Sequence, residues 1–250
     1  MKWIPGLVSV SFRELLPDQI LSVAKKNGLE AIEWGGDVHV PFGKLDVAEA
    51  VRQKSKAEGL LIPEYGSYYE LGNSLSADID GVIASARSLE TSIVRLWAFH
   101  KNRTNTTDEE YMAIVADAKR ICDLAPDITF CLECHINSLT EDYRDTLQFL
   151  TDVDRNNLKM FWQPNQWKSH EENKEACRAL LSYICAVHVF SWEMVDGNLT
   201  CLPLAAHADR WKEYIEIIKQ TPMVSMPMML EFMHDGRVES LPETANTLLS

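Results

Sequence analysis

The sequence predicts an α/β fold, a parallel eight-stranded (β/α)8 barrel with its helices outside. Short apolar runs alternate with amphipathic stretches of helical period along the whole chain. The alternation can be counted as eight strand-then-helix units, each of about 30 residues, as a βαβ unit requires. The chain has 250 residues, hydrophobic residues make up 46% of it, and a barrel of this type typically takes about 250 as one domain. No Ser/Gly-rich, Pro-rich or single-charge run offers a linker, so 1–250 reads as a single domain.

The first strand reads Leu7-Val8-Ser9-Val10-Ser11-Phe12, with a helix over 17–26 stopped by Asn27-Gly28. The second strand, Ala31-Ile32-Glu33-Trp34, is broken by Gly35-Gly36, and its helix over 46–58 is closed by Gly59. Leu60-Leu61-Ile62-Pro63-Glu64-Tyr65 reads as strand three, followed by a loop and a helix over 79–89. Strand four is Ile93-Val94-Arg95-Leu96-Trp97, and Thr107 is placed to cap the helix over 108–124. Strand five covers 128–134, with a helix from Thr140 to about 150; strand six is Leu158-Lys159-Met160-Phe161-Trp162, with a helix over 171–183. Strand seven is Ala186-Val187-His188-Val189-Phe190, with a helix over 210–219; strand eight is Pro227-Met228-Met229-Leu230-Glu231-Phe232, with a helix over 242–249. Strands alternating with helices favour a parallel sheet. No G-x-G-x-x-G follows the first strand, so a dinucleotide-binding open sheet loses its main support. Equal unit lengths favour closure.

A net charge of -13 opposes nucleic-acid binding, which wants a basic face. No apolar leader and no run of about 18 apolar residues appears, so no membrane is expected. The six cysteines (Cys122, Cys131, Cys134, Cys177, Cys185, Cys201) form no regular framework. They read as reduced and mostly buried, which points to a cytoplasmic protein. Cys131 and Cys134 have C-x-x-C spacing, but in a strand those positions face opposite sides.

Active sites of barrels lie at the C-terminal ends of the strands. Glu133 falls near the end of strand five, on one face with Cys131 and His135. Gln163 ends strand six, His188 lies in strand seven between two valines, and Glu231 ends strand eight. A carboxylate inside an apolar run is costly unless paired or metal-bound. Taken singly, a strand His is more often a hydrogen-bonded core residue, and a strand-end Glu is often solvated. Several at one end of neighbouring strands make a cation site for Mn2+, Mg2+ or Zn2+. Glu33 reads as a brace of the barrel mouth or as a partner for Arg95.

At these residues the sequence resembles the xylose isomerase-like barrels, the sugar phosphate isomerase/epimerase type. The likeness is carried by the stretch Gly28 to Asp37, Tyr65-Gly66-Ser67-Tyr68-Tyr69, Val94-Arg95-Leu96-Trp97-Ala98, Cys131-Leu132-Glu133-Cys134-His135, Trp162-Gln163-Pro164, His188-Val189-Phe190 and Leu230-Glu231-Phe232. That superfamily also holds ketose 3-epimerases, hydroxypyruvate isomerases, dehydroshikimate dehydratases and endonuclease IV. The resemblance implies a divalent metal (Mn2+, Mg2+, Co2+ or Zn2+) held by Glu133, Gln163, His188 and Glu231. Gln163 departs from the acidic residue implied at strand six and removes one negative charge. Glu70 stands where a basic residue is implied after the Tyr-Tyr pair, which favours an unphosphorylated sugar.

The implied chemistry is metal-dependent isomerisation or epimerisation of an α-hydroxycarbonyl sugar through an enediolate. Glu133 and Glu231 would be the acid/base pair, and Trp34, His39, Arg95 and His135 would contact the substrate. A metal-dependent dehydratase or other lyase would use the same positions. A non-catalytic sugar-binding barrel is the reading that Gln163 keeps open. An endonuclease IV-like enzyme is disfavoured by the charge and by the lack of further His and Asp ligands. Barrels of this type often form homo-oligomers, though no single stretch marks an interface.

Overall fold

The computed structural model describes residues 1–73 and 78–250. In chain order the elements are β1 (Lys2–Val8), α1 (Pro17–Lys26), β2 (Ala31–Gly35), α2 (Leu45–Glu58), β3 (Tyr65–Glu70), α3 (Ile79–Ser88), β4 (Ile93–Trp97) and α4 (Asp108–Leu124). They continue with β5 (Thr129–Glu133), α5 (Tyr143–Val153), β6 (Leu158–Trp162), α6 (His170–Leu180), β7 (Ile184–Val189), β8 (Trp192–Val195), β9 (Asn198–Cys201), α7 (Ala208–Ile218), β10 (Ser225–Leu230) and α8 (Leu241–Leu249). Parallel strands close in the order β1-β10-β7-β6-β5-β4-β3-β2, and β8 with β9 forms a separate hairpin. The fold is a (β/α)8 barrel.

Local chemistry explains the helix ends. Pro17 opens α1, where its missing N–H costs nothing. Thr107 with Glu110 and Ser169 with Glu172 form reciprocal capping boxes on α4 and α6. Gly59 ends α2 in the left-handed region.

The strands are apolar on both faces because helices cover the outside and side chains fill the inside. The outward residues Ile32, Trp34, Val94, Leu96, Phe130, Leu132, Trp162, Val187 and Leu230 join the main core between barrel and helices. Inside, Val8, Ala31 and Met229 form one small apolar cluster, and Cys131, Phe161, Cys185 and Ala186 form another. Cys131 therefore lies against Cys185 across the interior, not against Cys134. No helix of the described residues is long and apolar enough to cross a membrane.

Three local expectations are corrected. The first strand is Lys2–Val8, and 9–12 form a 3-10 turn. The Ser9 hydroxyl, read as an alternating strand position, instead accepts from the Gly35 amide and bonds His39. The third strand begins at Tyr65. The segment 60–64 makes only an isolated Ala31–Leu61 bridge, and Pro63 has no N–H to give to a ladder. The β8–β9 hairpin was not foreseen. It turns on Asp196-Gly197, both with positive φ, the pair that a two-residue hairpin turn favours.

Candidate functional site

Side-chain alternation brings a buried polar layer to the C-terminal end of the barrel. Arg95 comes from β4, Glu133 from β5, His188 from β7 and Glu33 from β2; Gln163 and Glu231 directly follow β6 and β10. All six are buried, and Glu33 and His188 fully so. The register sets their common level: Val8 pairs with Glu33, Arg95 with Cys131, Glu133 with Phe161, and Met229 with His188.

The layer is cross-linked. Arg95 Nη1 donates to Glu133 Oε2, and Arg95 Nε lies 3.2 Å from Glu33 Oε1. Gln163 Nε2 donates to Glu133 Oε1 at 3.2 Å and to the Cys134 carbonyl at 2.8 Å. These bonds turn the amide oxygen of Gln163 toward His188 Nδ1, 3.1 Å away. His188 Nε2 donates to Glu33 Oε2 at 2.7 Å, and its Nδ1 lies 3.2 Å from Glu231 Oε2. Gly66 makes this packing possible. A Cβ there would collide with Glu33 Oε1 and come within 3.2 Å of Arg95 Nη2.

The donor set fits a divalent cation. Glu133, His188 and Glu231 each offer a ligand atom, and these atoms lie within 4.8 Å of one another. Ligands facing each other across an octahedral Mg2+ are about 4.2 Å apart. Glu231 Oε2 is buried without a hydrogen-bond partner. His188 Nδ1 faces two oxygens, Gln163 Oε1 and Glu231 Oε2, and only a proton or a cation between them makes that arrangement favourable. Glu33 on the far ring nitrogen is the carboxylate–histidine partner that metal-binding imidazoles use. Two carboxylates, an imidazole and an amide oxygen suit a hard or borderline ion.

In the metal-free cluster, neighbouring charges outweigh burial at two of these groups. Burial alone would raise the Glu133 pKa, but the Arg95 guanidinium, with His188 and His135, holds it below the usual carboxylate range. Burial alone would lower the His188 pKa, but Glu33 and Glu231 overcome it and raise it well above the ordinary imidazole value.

The remaining sequence-derived residues divide. His135 stands beside the layer, two residues past Glu133. Its ring lies against Trp97 at 4.4 Å, and Nδ1 donates to the Ile136 carbonyl at 2.7 Å. That tautomer leaves Nε2 as a lone-pair nitrogen. Arg95 is at the centre, but its guanidinium is engaged by Glu33 and Glu133, with the Tyr68 ring 5.2 Å away. The structure does not bring Trp34 and His39 to the cluster. Trp34 faces the helices, fully buried in the main core, because it alternates with the inward Glu33. Both nitrogens of His39 are used internally, by the Ser9 hydroxyl at 2.9 Å and the Leu15 carbonyl at 3.0 Å. Sequence reasoning overlooked Glu64, an acid in an apolar run like Glu133 and Glu231; Trp97, one of the strand-end aromatics that could wall a sugar pocket, points inward by its parity with Arg95 and packs on His135.

The fold is that of the xylose isomerase-like TIM barrels. The chain is 29% identical to a 3-dehydroshikimate dehydratase of Bacillus anthracis, with 86% of this chain and 87% of that protein covered. Its structure is similar to that of a probable 3-DHS dehydratase, AsbF, involved in petrobactin synthesis in Bacillus anthracis, with a TM-score of 0.79, 23% identity and 100% and 99% of the two chains covered. A xylose isomerase-like TIM barrel protein from Mycobacterium smegmatis, solved with magnesium, superposes with a TM-score of 0.72 at 15% identity, covering 99% and 95%. No protein-family model matches the chain.

Proposed function

We propose that this chain is a divalent-metal-dependent lyase that dehydrates a polyhydroxylated cyclic ketone, with 3-dehydroshikimate the first compound to test. The observation that carries the reading is one unencumbered imidazole, His135, beside the Glu133–Gln163–His188–Glu231 cluster. The 29% identical relative, a 3-dehydroshikimate dehydratase, supports the same choice of reaction.

Glu133, Gln163, His188 and Glu231 would hold the ion, in the Mn2+, Mg2+, Co2+ or Zn2+ class. Once bound, the ion supplies electrophilic stabilisation of the oxyanion that develops on a substrate carbonyl. His135 Nε2 takes the proton from the carbon next to that carbonyl, and the C–H electrons move into the enolate. The β C–O bond then breaks, a C=C bond forms, and the protonated His135 returns its proton to the departing hydroxyl as water. Substrate loses one water, and the imidazole ends as it began. Glu33 and Arg95 hold the ligands in place.

Isomerisation or epimerisation of an α-hydroxycarbonyl sugar is the second reading. It asks Glu133 and Glu231 to act as a base pair from opposite faces. Glu231 Oε2, buried and without a hydrogen bond though 3.2 Å from His188 Nδ1, suits that role, but Glu133 has both oxygens engaged by Arg95 and Gln163. A carboxylate so held is a weak base, which favours the single-imidazole lyase.

The test uses chelator-stripped protein reloaded with each ion. 3-Dehydroshikimate is followed by the absorbance of the aromatic dihydroxybenzoate that loss of water produces. A panel of ketoses and aldoses in D2O is followed by NMR for exchange of the α-proton. Metal-dependent formation of the aromatic product is expected. Exchange on a sugar with 3-dehydroshikimate untouched establishes the isomerase reading instead, and no reaction on either arm removes both.

A further inference from the structure

Among the described residues, Glu64 is a fully buried carboxyl group with no hydrogen-bond partner on either oxygen. Its place follows from the register. Tyr65 pairs with Trp34 and Gly66 with Gly35, so Glu64, just before the strand, stands beside Glu33. Gly66 faces Glu33 Oε1 and Arg95 Nη2 inside the barrel, and Glu64, two residues earlier, shares that face.

Neighbouring strands lie about 4.8 Å apart. Two carboxyl groups that close, away from water, do not both ionise. Glu33 has the Arg95 guanidinium beside it, Nε 3.2 Å from Oε1, and its Oε2 accepts from His188 Nε2 at 2.7 Å. Glu64 has no hydrogen-bonded partner of any kind, so the shared proton resides on Glu64. Burial, and then the charge of Glu33, push the Glu64 carboxyl well above the usual range. The barrel interior also holds the buried cluster of Cys131, Cys185, Phe161 and Ala186. Glu33 Oε1, for its part, is buried and accepts no hydrogen bond. The unpartnered Glu64 carboxyl thus stands about one strand spacing from Glu33, whose Oε1 accepts no hydrogen bond although Arg95 Nε lies 3.2 Å away.

We propose that Glu64 is a positioning residue for the cation site: its carboxylic O–H donates to Glu33 Oε1, directly or through one buried water, and holds Glu33 as the acceptor of His188 Nε2–H. The inference rests on the metal reading of the cluster. Buried polar groups are almost always satisfied, and a water with polar partners is a normal part of an interior. With Glu33 so held, the imidazole presents Nδ1 to Glu231 and Gln163. Without the Glu64 donor, Glu33 Oε1 is left to Arg95 Nε alone, and the tautomer of His188 loses its anchor.

The experiment compares wild type, Glu64→Gln and Glu64→Leu. Gln keeps a donor at the same reach, and Leu removes it. Mn2+ affinity is measured by calorimetry on chelator-stripped protein, with the melting temperature of the metal-free protein beside it. Outer-shell partners typically govern about 10–100-fold in metal affinity. Glu64→Leu is expected to weaken Mn2+ binding about tenfold, the low end of that range, with no loss of metal-free melting temperature. Glu64→Gln is expected to bind like wild type. Wild-type affinity in Glu64→Leu, or equal weakening in both variants, overturns the proposal. Difference infrared spectroscopy on metal-free protein at neutral pH is independent of metal. The carbonyl stretch of a protonated carboxylic acid is expected in wild type and absent from Glu64→Gln. If wild type binds no Mn2+, the metal reading fails, and the infrared band alone decides whether Glu64 is the proton donor. No such band in wild type overturns the proposal whatever the metal data say, and the Gln variant keeps the test open if Glu64→Leu does not fold.

Discussion

Replacing Arg95 with leucine should cost this fold far more than an average substitution. The guanidinium touches Glu133 and Glu33, all three buried. Leucine fills part of the volume but leaves both carboxylates without their cation. Removing one partner of a buried ion pair costs about 3–5 kcal/mol. At about 2–4 °C per kcal/mol for a chain of this size, the melting temperature should fall by about 6–20 °C. The assay is a thermal melt of chelator-stripped wild type and Arg95→Leu from pH 7 to pH 4. The sign of the pH effect follows from Glu133. In wild type its folded pKa is depressed, because Arg95 outweighs burial. It therefore contributes stability above its unfolded pKa of about 4.3 and loses it as pH falls through the lower folded value. In Arg95→Leu, burial is opposed by His188 and His135 alone, and it lifts the folded pKa above the unfolded one. The penalty is then fully present at neutral pH and shrinks as pH falls toward about 4.3. The gap between the two proteins should narrow on acidification. The double change Arg95→Leu with Glu133→Gln should lose less than the single one, since an unpaired buried charge is the costly species. A fall under about 3 °C for Arg95→Leu, or a gap that does not change with pH, would refute the reasoning.

Other outcomes follow from the same geometry. Mn2+ should raise the melting temperature of the stripped protein, and Glu231→Ala should abolish the rise while leaving a folded protein, because a ligand bound only by the native state must stabilise it; thermal shift across Mn2+, Mg2+, Co2+ and Zn2+ checks this. His135→Gln should lower turnover by about 10²–10⁴-fold, the usual worth of a general base, yet keep the metal-induced shift, which separates proton transfer from ligation. Gly66→Ala should destabilise by about 1–3 kcal/mol through overpacking and weaken Mn2+ binding as well, because the new Cβ displaces Glu33 and Arg95; denaturant melts and metal titration measure the two effects.

Much of the architecture was legible in the linear order of residues. Runs such as Ile93-Val94-Arg95-Leu96-Trp97 and Leu158 to Trp162 became β4 and β6 with the bounds their patterns imply, because a run of that length between helical stretches has little alternative. Parity within a strand was legible too. Glu133 and Cys131 share the inner face, and Trp34 was destined for the outer face once Glu33 pointed inward, a consequence of the period of two that was not drawn for Trp34. The first and third strands were misplaced where a single local interaction overrode the pattern, the Ser9 hydroxyl in one case and Pro63 in the other.

What the sequence by itself determined is therefore the eight strand-then-helix units, the face most polar side chains take, and the presence of costly acids in apolar runs. What only the tertiary structure decided is who meets whom. His188 and Glu33 are 155 positions apart, and nothing local pairs them. Barrel closure and strand register set that distance, and they also placed Arg95 between Glu33 and Glu133 and Glu64 beside Glu33. Contacts of that kind depend on the relative height of strands from remote parts of the chain. A one-residue slip would reverse every face, so the polar layer exists only once the whole ring has closed.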